Sequence, residues 1–393
     1  MTVSRRSFVG GFAAALGYLG VGTEIDLFAQ GQTRGAGGAA RAGANTNDYD
    51  SFAHLSSNEN CWGPPESVMK AMNNAWKYSN RYGYPDANIV GEIAKHHGVK
   101  PENILLTAGS GEVLDVVGTT FLPAGKKVLG VTPSYGSVYQ HASSIKSEAI
   151  TLPLDKDYRQ NIPALIKAAN ANAAQLGFVY MCNPNNPTGM IVPKDQVKQL
   201  LDGIPKDMPV LIDEAYHHFV DDPNYATSVP YVLEGRPVII ARTFSKIAAL
   251  AGMRLGYAIA TPEIIARMRP YSMGSINALV KHGGAASLKD TAAQADVKRK
   301  TIDTRKKTAS ELEAYGYKTI PSETNFFMVH LGGETIQPTI EKFRAKKVLV
   351  GRPFPPMNDF MRVSVGTPEE MQRFVAAFKE IFPARGRATT AGI

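Results

Sequence analysis

A lysine, an acid and an arginine, each at or just beyond the end of an apolar run, are where this sequence can do chemistry. Thr243-Phe244-Ser245-Lys246 follows the apolar run 238–241, and Arg254 comes eight residues after the lysine. A lysine just after two hydroxyl residues, with an arginine in reach, suits an aldehyde cofactor that carries a phosphate. Lys246 would supply the imine, and Thr243 or Ser245 with Arg254 would hold the dianion. Taken alone, the stretch equally describes a surface lysine on a loop. Asp213 supplies the second signal, because it stands directly after the apolar run 210–212. A carboxylate there needs a cationic partner. A protonated pyridine nitrogen is such a partner, and its proton makes the ring an electron sink. Tyr216, one helical turn on, is placed to hydrogen-bond that ring's phenolic oxygen. The plainer alternative is that Asp213 caps the next helix.

Two further stretches join this set. Asn183-Pro184-Asn185-Asn186-Pro187-Thr188-Gly189 is by composition only a tight turn, yet it puts Asn183 at a strand end where its amide would share the phenolic oxygen with Tyr216. Thr107-Ala108-Gly109-Ser110-Gly111-Glu112 joins a strand to a helix, and its small residues leave N–H groups free for a phosphate at the helix start. It is not G-x-G-x-x-G, and no ribose-binding acid follows at the required distance, so a dinucleotide site is the poorer reading.

Groups so far apart in sequence need a sheet to gather them. Apolar runs at 104–107, 127–131, 177–182, 210–212, 238–243 and 256–260 alternate with amphipathic segments. That pattern predicts an α/β fold whose large domain, residues 78–280, has a mainly parallel sheet covered on both faces, with active groups at the strand ends. Past residue 281 the pattern changes to one long charged helix through Glu311, strands at 325–330 and 360–365, and helices near 339–344 and 368–382. Residues 45–77 and 281–393 are therefore expected to form a smaller α+β domain.

The net charge of +8 contains +2 from residues 1–44, where Arg5, Arg6, Arg34 and Arg41 face Glu24 and Asp26. The remainder is spread without a polybasic block, which argues against nucleic acid and for small phosphorylated or carboxylated substrates. Cys61 and Cys182 form no C-x-x-C pair, and the doublets His96-His97 and His217-His218 lack metal-ligand spacing, so no metal is expected. At the front, Ser4-Arg5-Arg6-Ser7-Phe8-Val9 precedes a short, glycine-diluted apolar stretch and a Gly/Ala-rich linker. This resembles a twin-arginine export signal and is too weak for a permanent membrane anchor. The expected location is periplasmic or exported.

As a set, these stretches resemble the fold-type I aminotransferases, specifically the histidinol-phosphate aminotransferase branch. Asn58-Glu59-Asn60, Asn80-Arg81-Tyr82, Pro133-Ser134-Tyr135-Gly136, Ser322-Glu323-Thr324-Asn325 and Met361-Arg362-Val363-Ser364 extend the resemblance from about residue 54 to 380. The resemblance implies an aspartate-aminotransferase-like large domain and pyridoxal 5'-phosphate as cofactor. Lys246 is then the Schiff-base lysine, Asp213 the pyridinium partner, and Asn183 and Tyr216 the contacts to the ring hydroxyl, with Tyr135 stacked on the ring. Gly109, Ser110, Gly111, Thr243, Ser245 and Arg254 would surround the phosphate, and Arg362, Arg352 and Asn60 the substrate. It also implies a homodimer with shared active sites, in which Tyr82 reaches the neighbouring subunit's cofactor phosphate. Here Arg81-Tyr82-Gly83-Tyr84-Pro85 replaces the usual Arg-Tyr-Pro, which makes Tyr84 a second candidate, and Cys61-Trp62 stands where the family tends to have proline. The expected reaction is amino transfer between an amino acid or related amine and a 2-oxo acid. A decarboxylase or lyase on the same fold, and a non-catalytic cofactor-binding regulator, are the alternatives.

Overall fold

The computed structural model describes residues 46–385. After a two-residue strand β1 (Ala53–His54) and helix α1 (Glu66–Ala75), the chain builds a seven-stranded sheet. Its members are β2 (Ile104–Thr107), β3 (Lys127–Thr132), β4 (Ala149–Pro153), β5 (Leu176–Cys182), β6 (Val210–Asp213), β7 (Val238–Thr243) and β8 (Gly256–Ile259). They lie in the order β2-β8-β7-β6-β5-β3-β4. The run from β4 to β7 is parallel throughout, and β8 is antiparallel to both β7 and β2.

Every residue of β6, β7 and β8 is buried, which is why these strands read as unbroken apolar runs rather than as alternating ones. Successive side chains point to opposite faces. Val210, Ile212, Val238 and Ile240 join one core, while Leu211, Ile239 and Ala241 join the core across the sheet. The unanticipated strand is β4. It sits at the sheet edge with both ends exposed and a terminal proline, so it carries neither a full apolar run nor a need for every N–H.

Downstream, the single long helix expected after Lys281 is two helices, α2 (Ala278–Lys289) and α3 (Thr291–Ala314). Asp290 makes the break, its carboxylate accepting from the Ala293 N–H at 3.0 Å and so capping the second helix. A three-stranded antiparallel sheet follows, with β10 (Phe326–His330) between β9 (Thr319–Ile320) and β12 (Phe360–Ser364). β11 (Val348–Leu349) pairs in parallel with β1, tying residues 53–54 to the far end of the chain. A closing helix, Pro368–Ile381, starts at a capping box between Thr367 and Glu370.

The expected leader and linker at 1–44 lie outside the described residues. Among the described residues no helix is long and apolar enough to cross a membrane, and no cluster of His, Cys, Asp and Glu could hold a metal ion. The carboxyl ends of β5, β6 and β7 come out side by side, since Cys182 pairs with Asp213 and Asp213 with Ala241. Ligands of open α/β sheets bind along such an edge.

Candidate active site

The cup beside that edge is built from small residues packed to contact. Ser110 begins the helix Ser110–Phe121, preceded by Gly109 at a φ of 86°. A Cβ on Gly109 would strike the Arg254 guanidinium, and one on Gly256 would strike the Gly109–Ser110 backbone, so these two glycines let β8 and Arg254 close against the helix start. Arg254, left-handed at a φ of 59°, donates to Ser245 Oγ at 3.4 Å, to Ala251 O at 2.8 Å and to Ala108 O at 3.3 Å. Thr243 Oγ1 donates to Ser245 Oγ at 2.8 Å. Glu112 Oε2 accepts from Ala108 N at 2.6 Å and holds the turn in shape. Gly109, Ser110, Thr243, Ser245 and Arg254 thus form one contact network, and its hydroxyls and guanidinium, with the N–H groups of the helix start at Ser110 and Gly111, suit a phosphate.

Asp213 closes β6 with only 2% of its surface exposed. Its one hydrogen bond to the backbone comes from Ala215 N at 3.1 Å. Burial raises its pKa from 3.8 to about 6, adjacent Glu214 adds to the rise, and the Ala215 N–H and the Lys246 charge oppose it. On the neighbouring strand end, Lys246 Nζ donates to Ser57 O at 3.2 Å and lies 5.7 Å from the centre of the Tyr216 ring. Burial, then the positive charge of Arg362, holds its ammonium down to about 8. Each group therefore sits where its charged form is disfavoured, and the two are close enough to feel one another.

Tyr216 is buried, its ring set edge-on against Phe326 at 5.0 Å. The amide beside its hydroxyl is not the expected one. Asn183 closes both ends of its amide on Val192, donating to the carbonyl at 3.0 Å and accepting the N–H at 2.9 Å, so it is a clasp across the turn. Asn186 instead brings Nδ2 to 3.5 Å from the Tyr216 hydroxyl. Asn58, from the other end of the chain, donates to the same oxygen at 3.0 Å. Asn60, expected beside the substrate, donates its amide to Ile247 O at 3.0 Å and accepts from Trp62 N at 3.0 Å, and so braces the segment behind Lys246. Tyr135 is half-buried, and its hydroxyl pKa is raised by burial and then by Asp213.

Above this floor, Arg362 on β12 donates to Asn186 Oδ1 at 2.7 Å and to Ser56 O at 2.6 Å, while its buried Nε has no partner. Burial holds its pKa down to about 10. Arg352 shares the Phe354 ring with it, the two guanidinium carbons lying 4.3 and 4.8 Å from the ring centre. Two arginines over one aromatic ring concentrate positive charge beside Asn186. Tyr84 donates to Ile276 O at 2.6 Å and is fastened within its own chain, whereas Tyr82 is fully exposed.

An aldehyde cofactor with a phosphate and a basic ring nitrogen needs a phosphate cup, an acid without a cation and an amine kept short of charge. The cleft supplies all three, on the sheet of the fold-type I pyridoxal-phosphate enzymes. Residues 51–378 match the aminotransferase class I and II family. The histidinol-phosphate aminotransferase of Moorella thermoacetica is 34% identical over 336 residues, 83% of this chain and 84% of that protein. That of Brevibacillus brevis is 30% identical over 338 residues, 83% of this chain and 89% of the other. The crystal structure of the Sinorhizobium meliloti histidinol-phosphate aminotransferase, in complex with pyridoxal-5'-phosphate, superposes with a TM-score of 0.80 over 92% of this chain and 98% of that one, at 23% identity. The chain belongs to the class I and II aminotransferases and is a pyridoxal-phosphate-dependent enzyme of that family.

Proposed function

We propose a division of labour among this chain's residues in amino transfer between an amine and a 2-oxo acid. Bound in the cleft, pyridoxal phosphate supplies the carbonyl that exchanges for an amine, and a conjugated ring that takes up the electron pair left at the substrate α-carbon. Arg254, Ser245, Thr243 and the N–H groups at Ser110 and Gly111 hold the phosphate. Asp213 keeps a proton on the ring nitrogen, Tyr216 with Asn186 binds the ring hydroxyl, and Tyr135 covers a ring face. Lys246 anchors the aldehyde through its amine. Once released, Lys246 works as the base that takes the α-proton and as the acid that returns it, roles suited to a pKa near 8. Arg362 binds the substrate carboxylate. One observation carries this reading: adjacent strand ends bring together a buried carboxylate without a salt bridge and a half-buried amine held below its ordinary pKa.

The paired arginines over Phe354, and the name shared by the two curated relatives, favour an amino donor with an anionic or aromatic far end. Purified enzyme is to be mixed with histidinol phosphate, aromatic, aliphatic or acidic donors and 2-oxoglutarate while the cofactor spectrum is followed. Glutamate formed from 2-oxoglutarate, with the keto phosphate of histidinol phosphate or the keto acid of an aromatic donor as co-product, supports the reading. Release of CO2 or ammonia points to the decarboxylase or lyase, and binding without turnover on any donor points to a regulator.

The same reading includes a homodimer in which the exposed Tyr82 reaches the neighbouring subunit's phosphate cup. Sedimentation as a monomer, or a Tyr82→Phe enzyme with unaltered cofactor affinity, opposes it. Export through Arg5 and Arg6 is also part of the proposal, and unchanged cell fractionation of Arg5→Lys/Arg6→Lys opposes that.

A further inference from the structure

The Tyr216 hydroxyl has more neighbours than cofactor binding requires, and their arrangement decides where its proton goes. A phenol oxygen offers two acceptor lone pairs and one proton. Both acceptor positions are used, by Asn58 Nδ2 at 3.0 Å and Asn186 Nδ2 at 3.5 Å. Among the described residues the hydroxyl donates to nothing.

The Asn58 amide is engaged at both ends, its oxygen by Ser364 and its nitrogen by Tyr216. Ser364 Oγ accepts the Asn58 backbone N–H at 2.7 Å and donates its own proton to Asn58 Oδ1 at 2.9 Å. With Oδ1 receiving that proton, Nδ2 faces Tyr216. The Asn58 backbone is equally constrained. It is left-handed at a φ of 54°, a conformation for which asparagine is among the best residues after glycine, and Asn325 Nδ2 holds its carbonyl at 3.0 Å. Only 1% of Asn58 is exposed, so none of these bonds competes with bulk water. Ser364 stands two residues from Arg362 on β12 and faces the same side of the strand.

The geometry points to Asn58 as a positioning residue that, aimed by Ser364, makes the Tyr216 hydroxyl an obligate donor toward the cofactor. This rests on the reading above that Tyr216 faces the ring hydroxyl. A donor onto the phenol oxygen strengthens the proton the phenol gives away, and a stronger donation favours the ionised form of the group that receives it. Asn58 thereby lowers the pH at which the bound cofactor's visible absorbance titrates.

The test uses the full-length holoenzyme and four variants: Asn58→Gly, Ser364→Ala, Tyr216→Phe and the double variant Asn58→Gly/Tyr216→Phe. Glycine adopts positive φ freely, so the first removes the amide without backbone strain. The readouts are the spectral pH titration and, as a control on folding, thermal unfolding of the cofactor-free proteins. Tyr216→Phe is expected to raise the titration midpoint. Asn58→Gly and Ser364→Ala should raise it less, by about half to one pH unit, the worth of one hydrogen bond. In the Tyr216→Phe background Asn58→Gly should add nothing. An equal shift by Asn58→Gly with and without the phenol hydroxyl overturns the inference, because Asn58 would then act by another route. So does an unmoved midpoint in both Asn58→Gly and Ser364→Ala when Tyr216→Phe does shift it. An unmoved midpoint in Tyr216→Phe itself overturns the placement of Tyr216 against the ring, and this inference with it. If Asn58→Gly does not fold, Ser364→Ala decides alone, since it leaves the amide present but unaimed.

Discussion

Asp213 and Glu214 are consecutive acids at the end of one strand, both buried, and they have opposite fates. Glu214 accepts from Arg242 at 2.5 and 3.0 Å, from Thr227 Oγ1 at 3.0 Å and from Ser228 N at 2.7 Å, so its charge is balanced by Arg242, itself 2% exposed. Asp213 faces the other side of the sheet and has no arginine, and its carboxyl is pushed up to about 6. A buried ion needs a partner or it neutralises. The contrast shows which acid belongs to the scaffold and which awaits a ligand: the first is complete within the chain, and the second is not.

The largest effect that tests this contrast falls on the second side of the sheet pair. Lys246→Ala should lower turnover by at least about 10³-fold and abolish the cofactor's visible absorbance, while unfolding of the cofactor-free protein stays near wild type, because the amine serves chemistry and not packing. Activity close to wild type would remove Lys246 from the site. Arg242→Ala should do the reverse. It leaves Glu214 buried and unpaired, and a denaturant titration should show a loss of about 3–5 kcal/mol.

Asp213→Asn sharpens the contrast, because its sign is opposite. The folded Asp213 pKa of about 6 lies above its ordinary 3.8, so the folded chain keeps a proton that the unfolded chain gives up. Its stabilising share is complete below about pH 4 and is lost as pH rises through about 6. In the cofactor-free protein, Asp213→Asn should therefore stabilise by up to about 3 kcal/mol at pH 8 and by little at pH 4, while turnover falls. Destabilisation at pH 8 would erase the distinction between the two acids. The smallest effect is kinetic: cofactor-free enzyme should take up pyridoxal phosphate with a rate that rises through a midpoint near pH 8, where Lys246 loses its proton, instead of near the 10.5 of an ordinary lysine. Arg362→Ala should move that midpoint up, since Arg362 is the strongest charge opposing the ammonium. A midpoint that stays near 10 in the wild type would mean the amine is solvated.

Much of this was legible in the sequence because it depends on local rules. Strands buried on both faces must be apolar throughout, and a lysine or an aspartate directly after such a run must lie at the sheet's edge. The turn after β5 was not legible at the level of single side chains. Asn183 and Asn186 have the same chemistry three residues apart, and only the path of the loop decides that one clasps Val192 while the other meets Tyr216 and Arg362.

What the sequence by itself determined is the family, the parallel core of the sheet and the places of Asp213 and Lys246 at strand ends, since strand period and apolar burial act over a few residues. The tertiary structure alone decided that Asn58 meets Tyr216 across 158 positions and Ser364 across 306, that Arg242 answers Glu214 and not Asp213, and that β8 runs against its neighbours. Those outcomes depend on which backbone atoms packing leaves within about 3 Å of one another, and hydrogen bonds of that length fall off too steeply with distance and angle to be read from residue types alone.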